Sequence, residues 1–194
     1  MAGYLSCLSA NLKPTPNALQ NAPYQTVSRF TTLTLFGIRQ GHIRWGLAQM
    51  GTSVPHLNKV EGLLFYKLLG SGHGKGFSIK PNFRRYGLMC TWESDAAADA
   101  FFESSDLMRE YRQHTDEIWT VKLLPYQSHG QWDGQEPFSP TLPEKYTGGP
   151  VAVLTRASIN WRALPSFWSF VPRSSRALEE AEGLLCSIGL GELP

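Results

Sequence analysis

The sequence predicts an α+β fold, and three observations point there. Between Val27 and Leu124 the hydrophobic pattern runs strand, helix, strand, strand, helix, strand. Two apolar strand-like runs, 63–69 and 86–92, flank a connection with glycines at 70, 72, 74 and 76. A shorter copy of the pattern then begins at Val151: Glu61-Gly-Leu-Leu is echoed by Glu182-Gly-Leu-Leu, and Gly70-Ser-Gly72 by Gly189-Leu-Gly191. The first pattern is that of a ferredoxin-like βαββαβ unit, and matched order and spacing make the second a repeat. Two such units side by side form a dimeric-type α/β barrel, here with the second unit incomplete. The expected division is a disordered or loosely packed segment 1–26, a first unit 27–124, a Pro/Gly-rich connector 125–150 and the start of a truncated second unit, 151–194.

Residues 1–25 are rich in Asn, Pro, Gln and Ala, which suits a loose lead-in. Residues 27–38 are Thr-rich and alternate around Leu33 and Leu35, the mark of a strand. Ile43, Leu47 and Met50 stand at helical spacing and give a short helix over 41–50, ended by Gly51 and Pro55. After the two strands of the glycine-rich stretch, Ser94 caps a helix with acidic residues in its first turn. A second helical piece covers 106–114, and 118–124 is a strand.

The connector carries Pro125, Pro137, Pro140, Pro143 and Pro150 around the run Gly130-Gln-Trp-Asp-Gly-Gln-Glu-Pro-Phe138. Trp132 and Phe138 favour a loop packed onto the body over a free tether. Residues 151–159 alternate as a strand that reads as buried. Residues 161–171 place Leu164, Phe167, Trp168 and Val171 on one helical side. Pro172 breaks that helix, Ser174 or Ser175 caps a further turn, and 184–188 reads as a strand. An incomplete sheet leaves an unpaired edge there, for a second copy or another segment to cover.

The chain of 194 residues is 42% apolar and 18% charged, which is globular and low in charge. A net charge of +2 gives no argument for nucleic acid as a partner. Six Trp, seven Tyr and ten Phe are a heavy aromatic load, useful to a core and to a large apolar ligand alike. Cys7, Cys90 and Cys186 form neither a disulfide framework nor a metal spacing. Cys90 and Cys186 sit in strand-like runs and read as buried thiols, which fits a cytoplasmic protein. No run reaches the ~18 apolar residues of a membrane span, and the N-terminus lacks a signal-peptide pattern.

The glycine-rich stretch resembles two phosphate loops and matches neither. A P-loop would need Ser or Thr after Lys75, where Gly76 stands, and Lys75 again occupies the place of the third glycine of the dinucleotide fingerprint. What remains is a flexible connection carrying His73, Lys75, Lys80, Arg84 and Arg85, or the anion-accepting rim of a pocket. No Gly-x-Ser-x-Gly is present. The carboxylates Asp133, Glu136 and Glu144 cannot be paired from sequence. No two histidines stand at metal-ligand spacing, and His42, His56 and His114 read as ordinary helix or surface positions.

Phe65-Tyr66-Lys67, Gly70-Ser-Gly-x-Gly-x-Gly-Phe77, Lys80-Pro81, Gly130 to Phe138, Leu154-Thr-Arg-Ala157, Phe167-Trp168 and Gly189-Leu-Gly-Glu-Leu-Pro194 carry a family likeness. Over roughly 27–194 the chain resembles the spheroidene monooxygenases, acyclic carotenoid 2-ketolases, and it is C-terminally short of that pattern. The resemblance implies haem-dependent, oxygen-using ketolation of a long apolar carotenoid, with electrons from a ferredoxin-type donor. Peripheral membrane contact and a homodimer are further expectations. With haem in view, His73 is the candidate iron ligand, and Gly72, Gly74, Lys75 and Arg84 are the candidate cofactor-binding residues. Arg156 and His129 are the candidate catalytic residues. Arg156 needs an ion-pair partner, expected to be Glu93 or Asp133, or else a propionate. Two rival readings keep the fold: a non-catalytic haem or apolar-ligand binding protein, and an inactive fragment that needs a partner chain.

Overall fold

The computed structural model describes residues 2–10, 29–74, 78, 80–138 and 150–192. The strands are β1 (Ala2–Ala10), β2 (Phe30–Ile38), β3 (Leu63–Gly72), β4 (Pro81–Trp92), β5 (Thr115–Leu123), β6 (Val151–Ile159) and β7 (Gly189–Gly191). The helices are α1 (Ile43–Thr52), α2 (Val54–Leu57), α3 (Asp95–Ser104), α4 (Asp106–His114) and α5 (Leu164–Glu179). Two compact units divide the chain: a larger one of Pro23–Leu68 and Phe83–Tyr146, and a smaller one of Met1–Ala22, Leu69–Asn82 and Thr147–Pro194. Among the described residues no helix is long and apolar enough to cross a membrane.

In the larger unit the strands lie in the order β5-β2-β4-β3. Numbered along the unit this is fourth, first, third, second, the order of a ferredoxin-like βαββαβ fold. β2 pairs antiparallel with both β4 and β5. Residues directly opposite share a face, so the register sorts each strand into two sets. Phe30, Phe36 and Ile38 of β2, with Tyr86, Leu88, Cys90 and Trp92 of β4, pack against Leu57, Ala98, Phe101, Leu107, Met108 and Tyr111 from the helices. Trp92 is fully buried there and donates its indole N–H to Thr32 Oγ1 at 2.9 Å.

The helices start where capping chemistry allows. Ser94 Oγ accepts the Ala97 N–H, and Ser105 Oγ accepts the Met108 N–H, each at 3.2 Å. Gly62 opens β3 with φ of +73°, and its carbonyl takes the Glu93 N–H at 2.8 Å. A Cβ on Gly62 would stand 2.6 Å from Ala97 Cβ. Gly62→Ala therefore meets both a left-handed backbone and a clash with α3, and should cost roughly 1–3 kcal/mol in urea unfolding. An unchanged midpoint would show that α3 shifts freely.

In the smaller unit β1 pairs antiparallel with β6 along its whole length and with β7 over Tyr4–Ser6. The tip of β3 pairs with β7, Gly70 opposite Gly191 and Ser71 opposite Leu190. The two Gly-x-Gly segments read as a repeat thus meet each other, and with no side chain on Gly70 or Gly191 the backbones approach freely. Leu190 is buried between them.

Several expectations change here. The lead-in expected to be loose contains β1. Its first ten residues lack the prolines and asparagines of 11–23, which lie outside the described residues. β1 lies between β6 and β7, the place of the third strand in a βαββαβ order, so it covers the edge that sequence left open. Pro172 does not end the helix, since α5 runs through to Glu179; a proline removes one ladder hydrogen bond, and the turns on either side continue. Residues 185–188 are not a strand: pairing begins at Gly189, where β1 and β3 offer partners. Cys186 is exposed, whereas Cys90 is buried. β6 is exposed along most of its length instead of buried. The unit boundaries also differ from 27–124 and 151–194, because the β3–β4 hairpin tip belongs to the smaller unit and residues 124–138 to the larger.

Candidate functional site

Opposite the helices, the larger unit presents a second sheet face. Strand alternation puts Thr31, Leu33 and Leu35 of β2 there. Across β4 they face Thr91, Met89 and Gly87, and across β5 they face Leu123, Val121 and Trp119. Three rows result, with leucine, valine or tryptophan at the β5 edge. Leu33 and Met89 are buried, Gly87 leaves a position without a side chain beside Leu35, and Trp119 is 46% exposed. This makes an apolar lane that is buried at Thr31, Leu33, Met89 and Thr91 and exposed at Trp119. Four residues of β2 separate its first and last rows, about 13 Å of strand.

Beside it stands the Gly130–Phe138 run of the connector. Trp132-Asp133-Gly134-Gln135 closes a two-residue hairpin by paired backbone bonds of 2.8 and 3.0 Å between Trp132 and Gln135. Asp133 has φ of +52° and Gly134 +74°, the positive pair that an Asp-Gly turn of the I′ kind requires. The turn sets Trp132 against Phe65 of β3, with ring centroids 5.8 Å apart. Lys67 lies over both rings, 5.7 Å from the Phe65 centroid and 5.9 Å from that of Trp132, and is ion-paired with Asp133. Trp132 is buried, while Tyr66 and Leu68 pack on the helix side, so Phe65 and Lys67 turn to the opposite face.

The candidate residues named from sequence do not converge. His73 is exposed in the smaller unit, and its backbone N–H donates to the Lys80 carbonyl at 2.9 Å, extending the β3–β4 ladder. Within the described residues, Gly70 to His73 of the glycine-rich stretch thus belong to a hairpin. Gly72 is required there because a Cβ would fall 2.8 Å from the Ser78 carbonyl oxygen, and Gly74 has φ of +86°. Lys75 lies outside the described residues. Arg156 is paired with Glu192, Nε to Oε1 at 3.3 Å. Its partner is not Glu93 or Asp133: the latter is held by Lys67.

In the larger unit His129 is exposed in the stretch after β5. Arg84 donates to the Ile38 carbonyl at 3.0 Å and to Asp116 at 3.2 Å, and Asp116 also takes Arg39. Arg84 thus ties β4 to the ends of β2 and β5. Neither candidate haem residue is enclosed. Both candidate histidines are exposed, where a haem ligand stands in a pocket. Burial pushes the Cys90 thiol far up, against a Thr32 hydrogen bond that lowers it, so no thiolate is available. No group of three metal-ligating side chains exists among the described residues.

Sequence reasoning missed two features. His42 and His114, read as ordinary positions, meet Nδ1 to Nδ1 at 2.6 Å, so one ring donates and the other accepts. Trp45 stacks on His114 at 4.1 Å and donates to Glu110 at 2.7 Å. The apolar lane was also missed, since it joins β2, β4 and β5 only through their register. The Asp133-Gly134 pair was visible in the sequence and signals the hairpin that places Trp132.

No protein-family model matches the chain. Spheroidene monooxygenase of Rhodobacter capsulatus is 36% identical over 151 residues, 77% of this chain and 63% of the relative. That of Rubrivivax gelatinosus is 40% identical over 153 residues, 77% of this chain and 58% of the relative. That of Cereibacter sphaeroides is 32% identical over 164 residues, 84% of this chain and 50% of the relative. The chain thus spans between half and just under two thirds of the length of these curated relatives. Among solved structures, PA3566 from Pseudomonas aeruginosa gives a TM-score of 0.40 at 16% identity, over 50% of this chain and 93% of that one. Over the stretch it shares with the three relatives, this chain belongs to the spheroidene monooxygenase family.

Proposed function

We propose that this chain forms the substrate-holding part of a carotenoid monooxygenase that ketolates an acyclic carotenoid. The lane from Thr31 and Thr91 to Trp119 carries this reading. Its apolar rows run without a break across β4, β2 and β5, and the aromatic end at Trp119 is the exposed one, where a long polyene can enter. Apolar surface covered at that exposed end contributes about 25 cal/mol per Å² and needs no charge. Haem, a ferredoxin-type electron donor, peripheral membrane contact and a homodimer belong to the proposal through the family. Since His73 and His129 are exposed and Arg156 is paired with Glu192, no reaction step is assigned to them.

The test is titration of the purified chain with an acyclic carotenoid, followed by quenching of tryptophan fluorescence and by a visible spectrum with added haemin. Quenching should be saturable, and Leu35→Glu, which sets a charge beside Gly87, should weaken it at least tenfold. Undiminished binding by a folded Leu35→Glu protein would remove the lane from the site. The exposure of both candidate histidines motivates a second reading, a non-catalytic apolar-ligand binding protein. That reading requires polyene binding without a Soret band and without oxygen-dependent product.

A further inference from the structure

In the larger unit one residue fixes two histidines toward each other. The Arg39 carbonyl accepts the His42 N–H at 2.8 Å, and the Arg39 N–H donates to the His114 carbonyl at 3.0 Å. The Arg39 guanidinium also donates to the Gln113 and Thr115 carbonyls, on either side of His114, at 3.1 and 3.3 Å. His42 closes the 3-10 turn Gln40–His42 and stands at the N-cap of α1, yet its ring makes no capping bond. His114 is the last residue of α4. Both rings are half-buried, and their Nδ1 atoms face each other at 2.6 Å. Trp45 stacks on His114, centroids 4.1 Å apart and planes 16° apart, and donates its indole N–H to Glu110 at 2.7 Å. Backbone bonds on one side and ring packing on the other thus aim two imidazole nitrogens at one point, which is the preorganisation a ligand site needs.

We propose that His42 and His114 form a site for one divalent transition-metal ion, taking Cu²⁺ most tightly and Zn²⁺ after it. Neutral imidazole is the commonest protein ligand of such ions, and Cu²⁺ stands highest in their order of affinity. In the metal-free pair one ring carries its proton on Nδ1 and donates, while the other offers its lone pair. On binding, the donor ring's proton moves to its Nε2 by exchange with water. Two nitrogen–metal bonds then replace one N–H···N hydrogen bond, and the neutral pair releases no net proton. Bonds of about 2.0–2.1 Å at a tetrahedral angle set the nitrogens about 3.3 Å apart, so the rings part by only about 0.7 Å. No third His, Cys, Asp or Glu side chain joins them among the described residues, so water completes the shell. The ion clasps the entry of α1 to the end of α4. The site is independent of how the lane is read, since it is built from the helix ends and not from the lane's rows.

The experiment titrates the full, untagged chain with CuSO₄ and, separately, with ZnCl₂. One Cu²⁺ should bind per chain, and its electron paramagnetic resonance spectrum should show coupling to two imidazole nitrogens. Zn²⁺ at a hundredfold its dissociation constant should raise the unfolding temperature by roughly 5–10 °C. His42→Gln and His114→Gln should each weaken Cu²⁺ binding roughly tenfold or more and remove the two-nitrogen pattern. The exposed histidines serve as the control: His73→Gln with His129→Gln should change neither the affinity nor the spectrum. The inference is overturned if the native chain binds no stoichiometric Cu²⁺, or if the two-nitrogen pattern survives in either single glutamine variant. It is equally overturned if the His73 and His129 substitutions abolish binding, for the ion would then be an adventitious one at the surface. Should a glutamine variant fail to fold, the native spectrum decides: coupling to fewer than two nitrogens sinks the site.

Discussion

Trp132→Ala is expected to destabilise the larger unit by about 3–5 kcal/mol, the usual cost of removing a large buried aromatic. Trp132 is 3% exposed, and its ring fills the space against Phe65. Its loss removes more than packing. Lys67 sits over both rings and has an 18% exposed side chain, so truncation opens that ammonium to water and strips the connector of its anchor. Limited proteolysis should then cut within 124–138, where the native chain resists. The neighbouring Asp133→Ala makes the contrast. Asp133 is half exposed, and such ion pairs contribute at most ~1 kcal/mol. If Trp132→Ala loses less than ~1 kcal/mol and leaves the connector resistant, Trp132 is not what holds the connector down.

How much of this was legible in the sequence depends on how local each cause is. The helix starting after Ser94 could be read, because a cap is settled within three residues. β2 and β6 could be read from alternation, and a packed connector from the aromatic rings of Trp132 and Phe138. β1 could not be read: its strand conformation depends on the edges that β6 and β7 offer, far along the chain. The same holds for 185–188, whose local β preference is overruled because partners exist only from Gly189 onward. Arg156 was rightly expected to pair, yet its partner Glu192 was out of reach because β6 had been taken as buried. Alternating Thr and Leu normally means one wet face and one dry face, whereas β2 is buried on both faces over Phe30–Thr34, so its alternation showed a strand but not its surroundings. The His42–His114 pair had no sequence signal, since only the packing of α4 against α1 brings the rings together.

Alkaline pH should unfold the larger unit through its own core. Burial pushes the Tyr111 hydroxyl up to about 12 from an ordinary 10.0, partly offset by its hydrogen bond to Ser53 and reinforced by the charge of Glu110. Tyr86 and Tyr66 are raised, chiefly by burial, and so is the Cys90 thiol. Each of these groups is neutral when protonated, and the folded state favours that form. Their contribution is thus fully present below the ordinary values and disappears as pH rises through the folded ones. Cys90 begins to count above about pH 9, and Tyr111 over roughly pH 10 to 12. A two-unit elevation on Tyr111 alone is worth about 3 kcal/mol. The urea midpoint should therefore hold steady from pH 7 to 9, then fall steeply. Tyr111→Phe should remove most of the tyrosine share of that fall, since the ring still stacks on Phe36 at 4.1 Å and gives up only a 3.4 Å contact with Ser53. Tyrosinate absorption followed on the same samples decides the matter: it should lag behind free tyrosine and rise together with unfolding. If all seven tyrosines titrate near pH 10 while the protein stays folded, Tyr111 is open to water and the core described around it is not the one the protein keeps.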